Sequence, residues 1–138
     1  MDDPHLTLTR QWIDRAESDL LNVANNVAAE QVPWDTVCFH CQQAVEKYLK
    51  AVLVILEEQV PRIHDLEQLL DLVKVNLPEL AECREDLRWL TTWAVASRYP
   101  VEAMDARPGE ADGRRAQAVS GRVRSICRTY LKAVVPPA

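Results

Sequence analysis

Cys38-Phe39-His40-Cys41-Gln42-Gln43-Ala44-Val45-Glu46-Lys47-Tyr48-Leu49-Lys50-Ala51 carries the strongest helical pattern in the chain. At about 100° per residue, Cys38, Cys41, Val45, Tyr48, Leu49, Val52 and Leu56 share one arc, and Val37, Ala44, Ala51 and Ile55 widen it. This pattern predicts a helix over about Trp34 to Gln59, closed by Pro61. So broad an apolar face belongs at the centre of a helical bundle. Its surplus further predicts that a second copy of the chain shares it, making a homodimer.

Outward from this helix the period stays helical. Leu8, Trp12, Ala16, Leu20, Val23 and Val27 form one stripe and predict a first helix over about Thr7 to Glu30, closed by Pro33. After Pro61, Asp65 is placed to cap a short helix carrying Leu66, Leu69, Leu70, Val73 and Leu77. A fourth helix is expected from about Glu79 to Ser97, with Leu80, Leu87, Leu90 and Ala94 inward, stopped at Tyr99-Pro100. A loop over about Val101 to Gly109 leads to a last helix from about Glu110 to Val134, ending before Pro136-Pro137. The expectation is an all-α chain, residues 1–138 forming one antiparallel up-down four-helix bundle with an additional short helix.

Composition agrees and excludes alternatives. Only three glycines occur, too few for a turn-rich β fold or a glycine-rich phosphate loop. No apolar run approaches the roughly 20 residues of a membrane span. The start, Met1-Asp2-Asp3-Pro4, lacks the basic-then-apolar order of a signal peptide, so a cytoplasmic location is expected, away from any membrane. Four cysteines then read as reduced thiols. The net charge of −5 is unevenly spread: residues from Arg107 onward carry +5 and the rest −10. The basic end suggests a surface for an acidic partner.

Several groups are candidates for chemistry. Cys38 and Cys41 have the spacing of a metal pair, but they lie on the apolar stripe of a helix, where a thiol packs as a small hydrophobe. No metal and no other cofactor is expected. His40, Gln43, Lys47 and Lys50 form a polar ridge on the other side of the same helix, able to hold a phosphate or to pair with Asp19 and Glu46. His64 precedes the cap of the short helix, and Arg98 with Tyr99 closes the fourth. His40, Lys47, Lys50, Arg98 and Tyr99 are the expected ligand-binding set, and Arg98 and His64 are the candidates for any catalysis. Arg114, Arg124, Arg128 and Lys132 make a basic row on the last helix, an alternative surface for nucleic acid or for docking a protein in an adaptor role.

Four segments together resemble the HEPN family of small prokaryotic helical proteins. They are Trp12-Ile13 leading through Ala16 to Asp19-Leu20, the stretch from Cys38 to Ala51, His64-Asp65-Leu66, and Arg98-Tyr99-Pro100. The resemblance implies a helical bundle, commonly a homodimer, that binds nucleotide or RNA. It also implies a minimal nucleotidyltransferase as partner in a toxin–antitoxin-type system. Many members are metal-independent ribonucleases whose signature is an Arg followed four to six residues later by a His. Here Glu102, Ala103 and Met104 follow Arg98 at those positions, and no histidine occurs after His64. An imidazole for proton transfer would have to come from His40 or His64.

Overall fold

The computed structural model describes residues 3–94 and 107–136. It holds five α-helices: α1 (Pro4–Val27), α2 (Trp34–Ile55), α3 (Leu66–Val73), α4 (Arg84–Thr91) and α5 (Glu110–Val134). Short 3-10 helices at Pro78–Cys83 and Thr92–Ala94 flank α4, and no strand occurs among the described residues. No helix among them is long and apolar enough to cross a membrane.

Local chemistry sets most of the ends. Asp3 caps α1 by accepting the His5 N–H, and Pro4 occupies the first turn, where its missing N–H costs nothing. The helix therefore begins three residues before the expected Thr7 and stops at Val27 rather than Glu30. α2 stops at Ile55, four residues short of expectation. There the Glu58 N–H reaches the Leu53 carbonyl and the Glu57 N–H reaches that of Val54. Glu57 has φ 58°, so a non-glycine residue takes the left-handed place in this C-terminal cap. Asp65 caps α3 as expected, its Oδ1 accepting from Glu67 and Gln68.

The long fourth helix is the main correction. Pro78 starts a 3-10 segment, α4 has only 8 residues, and a second 3-10 turn follows. An amphipathic spacing at 80, 87, 90 and 94 survives in this broken form because each piece still turns Leu80, Leu87, Leu90 and Ala94 inward.

α2 is the centre. It runs antiparallel to α1, since Asp19 meets His40 and Lys47 while Glu17 meets Tyr48 and Trp12 meets Lys50. It runs parallel to α5: Trp34 faces Gly113, Cys41 faces Ser120 and Tyr48 faces Arg128. α3 and α4 pack on its remaining side as an antiparallel pair, tied by Glu67 to Arg84 and Arg88. One apolar cluster joins all five helices through residues such as Leu49, Leu53, Leu70, Leu87 and Val123. Burying a leucine of this kind contributes about 2 kcal/mol. The broad face of α2 is thus covered within the chain mainly by α1, α3, α4, α5 and the 3-10 turn at Thr92–Ala94. Among the described residues most of that face is buried within the chain, so its breadth alone does not call for a second copy.

Candidate functional site

The polar side of α2 is a seam. Positions 40 and 47, two turns apart, converge on Asp19 of α1. His40 Nδ1 lies 2.7 Å from Asp19 Oδ1, and Lys47 Nζ donates to Oδ2 at 2.5 Å. A carboxylate only accepts, so the ring carries its proton on Nδ1 there. Asp19 is buried, whereas both partners stay about one-fifth exposed at the edge of the seam.

About a third of a turn round the helix, Gln42, Glu46 and Lys50 are spaced by four and face the segment before α3. Glu46 Oε2 accepts from Lys50 Nζ at 2.9 Å, and Glu46 Oε1 lies 2.9 Å from His64 Nδ1. Gln42 Nε2 donates to the His64 carbonyl at 3.0 Å and at 3.3 Å to Glu46. Gln43 in turn donates to Gln42. The Lys50 and Glu46 side chains are 7% and 6% exposed, and the ammonium also lies over the Trp12 ring. Lys50 is therefore a sealed ion pair, not a cation on an open ridge. Two charges removed from water at this depth require each other, because either alone would carry an uncompensated desolvation cost. His64 differs: its side chain is 63% exposed while Glu46 fixes its Nδ1 edge.

A third cluster was not anticipated. Glu17 of α1 takes a two-pronged bond from Arg124 of α5, Nε to Oε2 at 2.9 Å and Nη2 to Oε1 at 2.7 Å. The Tyr48 hydroxyl donates to Glu17 at 2.5 Å, and Arg128 approaches both groups at 3.4 Å. The Arg124 guanidinium, aided by Tyr48 and Arg128 and opposed by burial, holds the Glu17 carboxyl down to about 2. Burial, and then donation to Glu17, pushes the Tyr48 hydroxyl up to about 12. Arg124 and Arg128 thus belong to the α1–α5 seam and do not form a free outer row. Arg114, by contrast, lies over the Trp34 ring. The signal for this cluster was present as Glu17 on the flank of the α1 stripe, but its partner stands 107 residues away.

Of the expected ligand set, the structure brings His40 and Lys47 together on one carboxylate and assigns Lys50 to another. Arg98 and Tyr99, with most of the expected loop after them, lie outside the described residues. The cysteines are core. Cys38, Cys41, Cys83 and Cys127 are all buried, and burial pushes Cys38 up to about 12 and Cys41 up to about 11. Among the described residues no group of three or more His, Cys, Asp or Glu side chains gathers as a metal site would require.

The class defined by this fold and seam is an all-helical domain with carboxylate-centred polar clusters on its central helix. The family model for the HEPN domain matches residues 9–132, and the chain belongs to that family. The family is linked to nucleotide and RNA binding and to toxin–antitoxin systems, and its domains often dimerise. Comparison with curated proteins and with solved structures finds no match.

Proposed function

We propose that this chain is a single-domain nucleotide- or RNA-binding HEPN protein that acts as a cytoplasmic homodimer beside a minimal nucleotidyltransferase, in a toxin–antitoxin-type system. Membership of the family across residues 9–132 carries the reading. In the same reading α1, α2 and α5 are three members of an up-down four-helix bundle, and the segments over 78–94 take the place of the fourth. The binding edge is the exposed margin of the α2 seam, where His40 and Lys47 stand beside each other, and Arg98 and Tyr99 complete the ligand-binding set of this reading. A cation there attracts phosphate and an aromatic ring offers a face to a base. Lys50, committed to Glu46, serves the site by holding that carboxylate in place.

The test is fluorescence polarisation with a labelled single-stranded RNA, alongside calorimetry with nucleotides. Arg98→Ala is expected to abolish RNA binding while the thermal midpoint hardly moves. Absence of any RNA or nucleotide binding by the intact chain overturns the reading.

One observation favours a second reading, a ribonuclease without the usual histidine. Glu46 fixes His64 through Nδ1, which turns Nε2 of an exposed ring away from its anchor. In this arrangement Nε2 takes the proton of an RNA 2′-hydroxyl. The 2′-oxygen bonds to the adjacent phosphorus and the 5′-oxygen leaves, taking a proton back from the protonated imidazole, which gives a cyclic phosphate and a free 5′-hydroxyl. Arg98 is the cation for the phosphate in that scheme. Cleavage by the wild-type chain that His64→Ala removes establishes this reading, and RNA bound but left intact excludes it.

A further inference from the structure

The α1–α5 seam ends in a pocket that the polar side of α2 does not reach. Arg10 and Ile13 of α1 line it with Arg128, Leu131 and Lys132 of α5 and with Val135 just beyond, around a cavity of about 190 Å³. Leu131 belongs to the apolar cluster of the core, Ile13 and Val135 pack against it, and the three make the floor of the pocket. Three cations stand around that floor.

Their charge is incompletely answered. Glu17 is the carboxylate beside Arg128, but Arg124 holds it in a two-pronged bond at 2.7 and 2.9 Å, whereas Arg128 stands off at 3.4 Å. Arg10 donates one Nη2 hydrogen to the Pro136 carbonyl at 2.9 Å, a bond that fixes its direction while using one of its five N–H donors. Lys132 is exposed. Positive charge beside an apolar floor selects an anion that carries an apolar body. A bare anion would leave the floor unused, and a neutral apolar ligand would leave the cations unused.

Size narrows the class. The volume is below the roughly 300–1,000 Å³ that encloses a whole drug-sized ligand. One ring system fits within, and the charged group stays at the rim. Guanidinium forks and an ammonium match phosphate oxygens in geometry and charge.

We propose that this pocket is a nucleoside monophosphate site, with the base on Ile13, Leu131 and Val135 and the phosphate between Arg10, Arg128 and Lys132. The assignment rests on the nucleotide-binding reading and places the ligand away from the α2 seam. Calorimetry on the full chain uses AMP, adenosine and inorganic phosphate as probes. AMP binds at least tenfold more tightly than either half-ligand, since floor and rim act together. Lys132→Glu weakens AMP at least tenfold, and Val135→Asp does the same by charging the floor. Lys132 is exposed and Val135 is half-buried just beyond α5, and an unchanged thermal midpoint shows that each variant is folded. The proposal is overturned if AMP fails to saturate at millimolar concentration, or if inorganic phosphate binds as tightly. It is also overturned if AMP binding survives both variants but is lost in Arg98→Ala. RNA affinity, measured separately, distinguishes the two claims: AMP bound in the pocket without RNA binding removes the RNA reading and leaves the pocket.

Discussion

Glu46 and His64 lie 2.9 Å apart, and that contact fastens the start of α3 to the middle of α2. Gln42 holds the carbonyl of the same histidine, so one turn of α2 grips His64 by ring and backbone alike. The other oxygen of Glu46 neutralises Lys50, which ties the grip to a buried charge.

Glu46→Gln should therefore cost more than one hydrogen bond. It leaves the Lys50 ammonium without its counter-charge in a nearly closed site, a change worth about 3–5 kcal/mol for pairs of this kind. Most domains have only about 5–15 kcal/mol in total. Removing both charges as Glu46→Met with Lys50→Met should restore most of the loss, since packed apolar groups replace such pairs at little cost. Urea midpoints of the three proteins check this. Equal losses in the single and double variants would show that the pair itself stabilises the fold.

How far the sequence disclosed these arrangements depends on distance along the chain. Helix α5 falls at Glu110–Val134 as its stripe and flanking prolines imply, because periodicity and stop signals are local. The start of α1 needed the Asp3-Pro4 pair to be read as a cap, and the end of α2 needed Glu57 to adopt a conformation its side chain disfavours. Breakage of the fourth helix follows from how Leu80, Leu87 and Leu90 fit under α2 and α5, which no single helical stripe encodes. Asp19 and Glu46 were visible as possible partners of the lysines. Which lysine meets which carboxylate depends on the register between helices. Glu17 with Arg124, and the pocket at Arg10 and Lys132, lie across an interface formed only when both ends of the chain meet.

Acid should act through Glu17. Its folded pKa near 2 lies below the ordinary 4.5, so the native state binds fewer protons than the unfolded chain between those values. The resulting stabilisation is fully present above about pH 4.5 and is lost as pH falls through about 2. Glu17→Gln should thus be less stable than wild type at pH 7, with the gap closing steadily below pH 4.5. Denaturant titrations at a series of pH values test this, and a gap independent of pH would remove Glu17 as the source.

The left-handed residue at the end of α2 offers a gain. Glu57 sits at φ 58° in a place where glycine has no side chain to clash. Glu57→Gly should raise stability by about 1 kcal/mol, because the relief of roughly 1–2 kcal/mol exceeds the added freedom of the unfolded chain. Its side chain is exposed, with one carboxylate oxygen 3.6 Å from His5 Nδ1. A lower thermal midpoint in Glu57→Gly would mean that this contact outweighs the backbone strain.

Two glycines in α5 should respond in opposite directions to the same change. Both occupy helix interior, where alanine is favoured over glycine by about 1 kcal/mol. At Gly121 an added Cβ meets nothing within 4 Å, so Gly121→Ala should stabilise by about that amount. At Gly113 the added Cβ would fall 2.2 Å from Cε3 of Trp34 and 2.8 Å from its Cζ3. The indole is held by the core on one side and by the Arg114 guanidinium above it, so it cannot swing aside freely. Overpacking of this kind costs about 1–3 kcal/mol, which overrides the helical preference. Gly113→Ala should therefore destabilise, and adding Trp34→Leu should recover part of the loss by opening the space above the new methyl. Thermal midpoints of the single and paired variants decide it: a gain in Gly113→Ala would show that α2 and α5 can separate at this crossing without loss of packing elsewhere.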